Sequence, residues 1–272
     1  MFHNLAQLVR YRGLIQSLVA RELKARYRGS VLGFFWSFIN PLLLLLVYSF
    51  VFSYIMPAAH DKRIEPYALF MFCGILPWTW FSASLNESAG VLISGGNLIK
   101  KVLFPAEVLP IVTVLANMVH FFFGLVILAG FLVWYQRPLE LSELALFPLV
   151  VLIQLVLTTG FALMLSALTV HFRDIRDILS NLLTFWFFAT PIIYPYFIFE
   201  DPNNPAYVPW QAMLLKLNPF EHLVISYQEI LFFEGPVGHL KWLLLLGAIS
   251  ILFFLFGYFV FDRLRDTFAE EV

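Results

Sequence analysis

The chain has 272 residues, of which 61% are hydrophobic and only 13% are charged. Soluble domains carry charge on about 25% of their residues, so this composition indicates a polytopic membrane protein. The formal net charge of −1 gives no sign of a nucleic-acid partner, and the single cysteine, Cys73, excludes an internal disulfide framework.

The first 30 residues form a basic segment that we predict to be an amphipathic helix lying on the cytoplasmic membrane surface. At about 100° per residue, one narrow arc of this helix collects basic residues, while leucine, isoleucine and valine spread over the other side. The basic arc consists of Arg10, Arg21, Lys24 and Arg28. Arg12 and Arg26 break the pattern. Anionic lipid or an acidic groove on a cytoplasmic subunit would suit the basic side equally.

Intervals without charged residues predict six transmembrane helices in an all-α fold, because each interval can hold the ~20 apolar residues that a crossing needs. These spans lie at about 32–56, 66–88, 108–134, 144–171, 177–196 and 242–261. Residues 31–262 then form one transmembrane domain, and 263–272 form a cytoplasmic tail. Twelve of the 17 lysines and arginines fall on the predicted inner side, which favours cytoplasmic termini.

The external segment 200–241 is too apolar for a solvated loop. Within it, Asn218-Pro219-Phe220-Glu221 predicts a helix start, with Asn218 as the cap and Pro219 in the first helical position. Gly235 suits its end, which leaves a helix of about 14 residues, too short to span. It is either re-entrant and pore-forming or an amphipathic helix resting on the outer leaflet.

The inner segment 94–107 contains a glycine pair, Gly95 and Gly96, that breaks the second span. Asn97 is placed to cap a short new helix, which would contact a soluble partner, although a simple basic turn explains the segment as well. In the next inner loop, Arg173, Asp174, Arg176 and Asp177 have helical spacing and predict an ion-paired lock.

Two further patterns concern helix packing and intramembrane polarity. Gly160, Ala162 and Ser166 provide a small-residue face, a weak signal for dimerisation. Asn117 and His120 lie within the third span, where polar groups are costly and serve either function or helix–helix contact.

Catalytic and metal-binding patterns are absent from the sequence. It has no G-x-x-x-x-G-K-[ST] phosphate loop, no H-E-x-x-H and no cysteine pair, so we expect neither ATP hydrolysis nor a metal site in this chain.

Six stretches, in order along the chain, carry a family resemblance. They are RELKARYRGSVLGFFWSFINPLLLLLVY at 21–48, GILPWTWF at 74–81, NLIKKVLFPAEVLP at 97–110, RDIRDI at 173–178, TPIIYP at 190–195 and LNPFEHLVISYQEILFFEG at 217–235. The chain resembles the membrane (permease) subunits of type-2 ABC exporters for cell-surface polysaccharides, and among them the O-antigen and teichoic acid branch more than the capsule branch.

The resemblance implies a homodimer in the inner membrane, joined to two copies of a separate ATP-binding subunit that holds ATP and Mg²⁺. No cofactor would be bound by this chain itself. The implied coupling surface consists of Arg21, Lys24, Arg26, Tyr27, Arg28, Asn97, Lys100, Lys101 and Phe104.

The exported polymer would be linked to undecaprenyl diphosphate. Arg26 and Arg28 are therefore candidates for binding the lipid diphosphate. Tyr194, Trp78 and Phe81 are candidates for the polymer path, against the alternative that they belong to the interfacial aromatic belt.

Two other classes of function stay open at this point. A membrane-embedded enzyme acting on lipid-linked sugars would need a catalytic group, for which only Glu87 and His222 are candidates. A passive channel or scaffold would need neither the basic helix nor the inner loop.

Overall fold

The computed structural model describes residues 11–55, 62–100, 105–137, 140–200 and 208–271, and within these ranges all regular structure is helical. The helices of the first half are α1 (Arg12–Arg26), α2 (Trp36–Phe50), α3 (Tyr67–Ser94), α4 (Gly96–Ile99), α5 (Val108–Trp134) and α6 (Leu141–Leu144). Those of the second half are α7 (Phe147–His171), α8 (Ile175–Phe188), α9 (Phe197–Glu200), α10 (Pro209–Lys216), α11 (Pro219–Leu231), α12 (Leu240–Leu264) and α13 (Phe268–Glu271). The predicted all-α class is confirmed.

Four helical stretches of the described chain are long and apolar enough to cross a membrane: Tyr67–Ser94, Val108–Trp134, Ser142–His171 and Leu240–Thr267. They correspond to four of the six predicted spans. In the first predicted span, α2 has only 15 residues, but the 3₁₀ turn Gly33–Phe35 and the π-helical turn Val51–Ile55 extend it. In the fifth, α8 ends at Phe188, before the predicted boundary at 196. The count of six stays a prediction.

The path of the chain supports that count. Helices α7 and α12 run parallel, because Ile153 contacts Gly247, Gly160 contacts Gly257, and His171 reaches Thr267. The segment that joins the end of α7 to the start of α12 must therefore return along the bundle. Both α1 and the C-terminal α13 lie at the end of the bundle that holds the C-terminus of α3, which agrees with an even number of crossings.

Helix α11, which precedes α12, lies inside the helix bundle. Every residue of α11 from Phe220 to Leu231 is buried. Phe220 packs on Trp78 and Phe81 near the middle of α3, whereas Phe232, just past the end of α11, packs on Phe70 near the start of α3. The helix is thus enclosed by protein, which favours the re-entrant alternative over a helix resting on the surface.

The predicted start of α11 is confirmed. The Asn218 side chain accepts a hydrogen bond from the Phe220 N–H at 3.0 Å, and Pro219 takes the first helical position. The helix has 13 residues and ends at Leu231, and Gly235 then turns the chain with a φ of +110°.

The small-residue face is used inside the chain. A Cβ at Gly257 would overlap the carbonyl of Gly160, and one at Gly160 would lie 2.9 Å from the Cα of Phe254. Ala162 and Ser166 are fully buried. Gly160 therefore lets α7 approach α12 closely, and all three small residues are buried within the single chain, so they do not form the exposed dimerisation face that was predicted.

Candidate functional site

An interhelical polar cluster centres on Arg26 at the C-terminal end of α1. The Arg26 Nη1 donates to Asn117 Oδ1 at 2.9 Å, and its Nη2 donates to Glu87. Asn117 in turn donates from Nδ2 to the Glu87 Oε2 at 2.8 Å, which closes a three-residue ring. One arginine therefore joins α1 to α3 and α5, and this inward direction explains why Arg26 breaks the basic arc.

A second polar group lies beside the first. The Ser37 hydroxyl donates to the Tyr27 oxygen at 2.8 Å, and that oxygen lies 3.3 Å from His120 Nδ1. The Tyr27 and His120 rings meet edge to face, with their centroids 5.9 Å apart. The side chains of Tyr27 and Ser37 thus link the start of the first predicted span to α5.

Both groups line one cavity of about 390 Å³ between α1, α2, α3 and α5. Its polar lining comes from Arg26, Tyr27, Ser37, Asn40, Thr79, Glu87, Asn117 and His120. The rest of the wall is apolar or aromatic, including Trp36, Leu44, Leu76, Trp80 and Phe121. Such a cavity could accept a ligand with a charged or hydroxylated end and an apolar body.

The apolar side of α1 determines which way its basic side faces. Leu18 packs on Val108 and Val112 at the start of α5, with Leu14 and Ile15 around them. Arg21, Lys24 and Arg28 are consequently exposed, whereas Arg26 and Tyr27 are half-buried. The structure divides the predicted N-terminal coupling residues into an exposed basic set and an inward-facing pair.

The inner loop supplies the other predicted coupling residues. Helix α4 begins directly at Gly96, so Asn97 lies within its first turn and does not cap it. Asn97 and Lys100 are exposed at the inner end of the bundle. Lys101 and Phe104 lie outside the described residues.

The three predicted polymer-path residues occupy different environments. Phe81 is fully buried in an aromatic core with Phe161, Trp186 and Phe220. Trp78 is 7% exposed and borders a cavity between α2, α3 and α8.

Tyr194 borders a separate aromatic cavity of about 560 Å³ between α8 and α10. Phe185, Phe188 and Trp210 line this cavity, and all three are exposed. These exposed rings were not singled out from the sequence, because periodicity does not show which aromatic residues remain uncovered.

The two candidate catalytic residues have structural partners. Glu87 is held by Arg26 and Asn117. His222 stacks on Trp242 with ring centroids 5.2 Å apart, and its Nε2 lies 3.0 Å from the Lys216 carbonyl oxygen. No cluster of three or more His, Cys, Asp or Glu residues suited to a metal occurs among the described residues.

The predicted ion-paired lock after α7 is wrong. No ion pair within the described chain joins Arg173, Asp174, Arg176 and Asp177. Arg173, Arg176 and Asp177 instead line a cavity against the end of α3.

The sequence of this chain is similar to those of known membrane transport proteins. The family described as ABC-2 type transporter matches residues 13–232. An O-antigen export system permease protein RfbA from Myxococcus xanthus is 41% identical over 273 aligned residues, covering 100% of both chains. An RfbA protein from Klebsiella pneumoniae is 30% identical over 99% of this chain and 98% of its own.

A polysialic acid transport protein, KpsM from Escherichia coli, is 26% identical over 79% of this chain and 80% of its own. The family match spans most of the chain, including the N-terminal helix, three of the four long apolar helices and the buried α11, and on that basis this chain belongs to the ABC-2 transporter membrane family.

Proposed function

We propose that this chain is the permease subunit of an ATP-driven exporter that moves undecaprenyl-diphosphate-linked O-antigen polysaccharide across the inner membrane. The observation that carries the proposal is the end-to-end similarity, at 41% identity, to an O-antigen export system permease. In this proposal two copies form the membrane channel, both termini are cytoplasmic, and two copies of a separate subunit bind ATP and Mg²⁺.

The arrangement of α1 supports a coupling role. Its exposed face carries Arg21, Lys24 and Arg28, which suit an acidic surface on the ATP-binding subunit. Its opposite face is packed on α5, and Arg26 ties its end to both α3 and α5. A displacement of α1 by the partner would therefore pull on two long helices at once. Asn97 and Lys100, with Lys101 and Phe104, would complete the contact.

The same region suits the lipid diphosphate. Arg28 is exposed, and Arg26 lies at the polar end of the 390 Å³ cavity. A diphosphate would compete with the Glu87 carboxylate for the Arg26 guanidinium, because both are oxyanions that accept bidentate hydrogen bonds. Lipid binding would then loosen the tie between α1 and α3.

For the polymer path, the exposed aromatic cavity around Tyr194 is the best-supported part. Sugar faces stack on aromatic rings without requiring a particular sequence of sugars, and Phe185, Phe188 and Trp210 provide such rings. Trp78 would border the polymer path deeper in the bundle, where the ring of Phe81 packs against that of Trp78.

The O-antigen assignment is preferred over a capsule exporter because the polysialic acid transport protein is less similar and is covered less completely. A teichoic acid exporter is the remaining alternative within the family. The enzyme alternative is not favoured, since Glu87 is engaged by Arg26 and Asn117 and His222 by Trp242 and the Lys216 carbonyl.

The test is to purify this chain with the ATP-binding subunit encoded beside it and to measure ATP turnover. We expect a stable complex whose turnover falls when Arg21, Lys24 and Arg28 are replaced by glutamine. Arg12→Gln, an exposed residue at the other end of α1, is the control and is expected to leave turnover unchanged.

Surface O-antigen on cells that carry each variant provides the transport readout. If the triple variant forms a stable complex with unchanged turnover and export, the coupling contact lies in the inner loop 94–107 and not on α1. Failure to form any complex would overturn the proposal and return the enzyme alternative to consideration.

A further inference from the structure

The segment that follows α12 folds back onto the inner end of the bundle. A 3₁₀ turn, Arg265–Thr267, leads from α12 into the one-turn helix α13. The Thr267 Oγ1 lies 3.3 Å from the His171 Nε2 at the end of α7, and an ion pair of 3.9 Å joins Arg265 to Asp262 of α12. These polar contacts hold the start of α13 against both long helices.

Phe268 anchors α13 through one buried ring. It is only 1% exposed, whereas the neighbouring Asp266, Glu270 and Glu271 are exposed. Its ring meets the Phe261 ring edge to face, with the centroids 5.2 Å apart. A charged segment that buries a single aromatic side chain is held in place mainly by that side chain, because apolar burial is the main favourable term in packing.

The hydrophobic cluster that encloses Phe268 also holds the inner-loop helix α4. Ala106, at the end of the inner loop, is buried in this cluster, and Ile99 of α4 packs against it. Helix α13 contacts both α4 and α7. At the start of α4, a Cβ at Gly95 would lie only 2.7 Å from the Leu109 Cδ1 of α5. Helix α4 is therefore held by two contacts, one with the start of α5 and one with the cluster that contains Phe268.

These contacts are important for α4 because it has only one turn. A helix of four residues is not stable in water by itself, so packing must maintain it. The N–H groups of Leu98 and Lys100 donate to carbonyls one turn earlier, at 2.8 and 2.9 Å. Asn97, Leu98 and Lys100 are exposed, whereas Ile99 is half-buried. The packing that holds α4 thus also determines which of its side chains a partner can reach.

We propose that residues 265–271 position α4 for contact with the ATP-binding subunit, and that Phe268 is the positioning residue. Phe268 acts through Ile99 and the shared cluster and does not touch the partner, because its ring is buried. The identity of the partner rests on the proposed function, whereas the hold of Phe268 on α4 does not.

Hydrogen exchange of the purified full-length chain in detergent tests the hold on α4. The measured quantity is the exchange rate of the Leu98, Ile99 and Lys100 amides, followed by mass spectrometry. We expect Phe268→Ala to raise this rate about tenfold, because loss of the ring lets α4 open locally. Phe268→Leu keeps most of the apolar volume and should stay within about twofold of the unmodified chain.

Titration of the same variants with the ATP-binding subunit encoded beside this chain tests the consequence for the partner. We expect the apparent Kd to rise about fivefold in Phe268→Ala and to return toward the unmodified value in Phe268→Leu. Phe268→Val should show a smaller rise in both exchange and Kd, and it provides the same comparison if the alanine variant does not fold.

The matched control is Phe72→Ala, which removes an equally buried ring near the start of α3, away from the inner end of the bundle. It should lower the denaturation midpoint without changing either the exchange of the α4 amides or the Kd.

The proposal is overturned if the α4 amides exchange at the same rate in Phe268→Ala as in the unmodified chain, or if Phe72→Ala raises that rate equally. It is also overturned if exchange rises while the Kd stays the same, since α4 would then not be positioned for the partner. If the unmodified chain binds no ATP-binding subunit, the proposed export function fails, while the exchange measurement still decides whether Phe268 holds α4.

Discussion

Reversal of the Arg26–Glu87 pair tests the tie between α1 and the long helices most directly. The variants are Arg26→Glu, Glu87→Arg and the double reversal. Each single change places two like charges where a guanidinium and a carboxylate now meet. It also leaves Asn117, which is only 4% exposed, without one of its two charged partners. The double reversal restores opposite charges in the same place.

The size of the effect follows from the exposure of the pair. The side chains of Arg26 and Glu87 are 23% and 40% exposed, so the pair is neither fully solvated nor fully buried. Exposed pairs contribute about 0.2–1 kcal/mol, and hydrogen bonds to charged groups about 1.5–3 kcal/mol. We therefore expect a coupling energy of about 1–2 kcal/mol and a loss of about 2–3 kcal/mol in each single variant.

The assay is the apparent midpoint of thermal denaturation of the purified chain in detergent, followed as the fraction that remains monodisperse. For a chain of this size, 1 kcal/mol corresponds to a shift of about 2–4 °C. Each single variant should lose about 4–12 °C, and the double reversal should recover roughly a third of the combined loss.

The charged replacements have a neutral counterpart. Arg26→Gln removes the charge and keeps a donor for Asn117, so it should be milder than Arg26→Glu. The reasoning fails if Arg26→Glu is as stable as the unmodified chain, or if the double reversal loses as much as the sum of the two single variants.

Three further predictions concern packing. Gly257→Leu should cost about 1–3 kcal/mol by forcing α7 and α12 apart, measured as a lower denaturation midpoint, whereas Gly130→Leu, which meets no atom within 4 Å, should leave it unchanged. Asn218→Ala should cost about 1–2 kcal/mol of stability by removing the cap on the Phe220 N–H. Asn218→Asp keeps the acceptor oxygen, so its denaturation midpoint should fall less than that of Asn218→Ala. Cys73 is fully buried and should resist a membrane-permeant maleimide in the native chain while reacting after denaturation; rapid native labelling would contradict the packing of α3.

Much of this protein could be predicted from the sequence because the controlling physics is local. The length of an apolar run determines whether it can cross a bilayer, and four such runs are helices of sufficient length in the structure. The start of α11 was predictable because a cap, a proline and a helix lie next to each other along the chain. The basic arc of α1 was predictable in the same way, and Arg21, Lys24 and Arg28 are indeed exposed.

Only the tertiary structure decided which partners these elements meet. Periodicity showed that Arg26 lies off the basic arc, but its partners Glu87 and Asn117 are 61 and 91 residues away along the chain. Local spacing suggested that Arg173 and Asp177 pair, yet both face the cavity beside Gly90. A small residue such as Gly160 allows any helix to approach closely, and in the structure the helix that does so is α12. The packing of whole helices determines which side chains distant in sequence come into contact. That packing depends on the complete fold and not on local sequence.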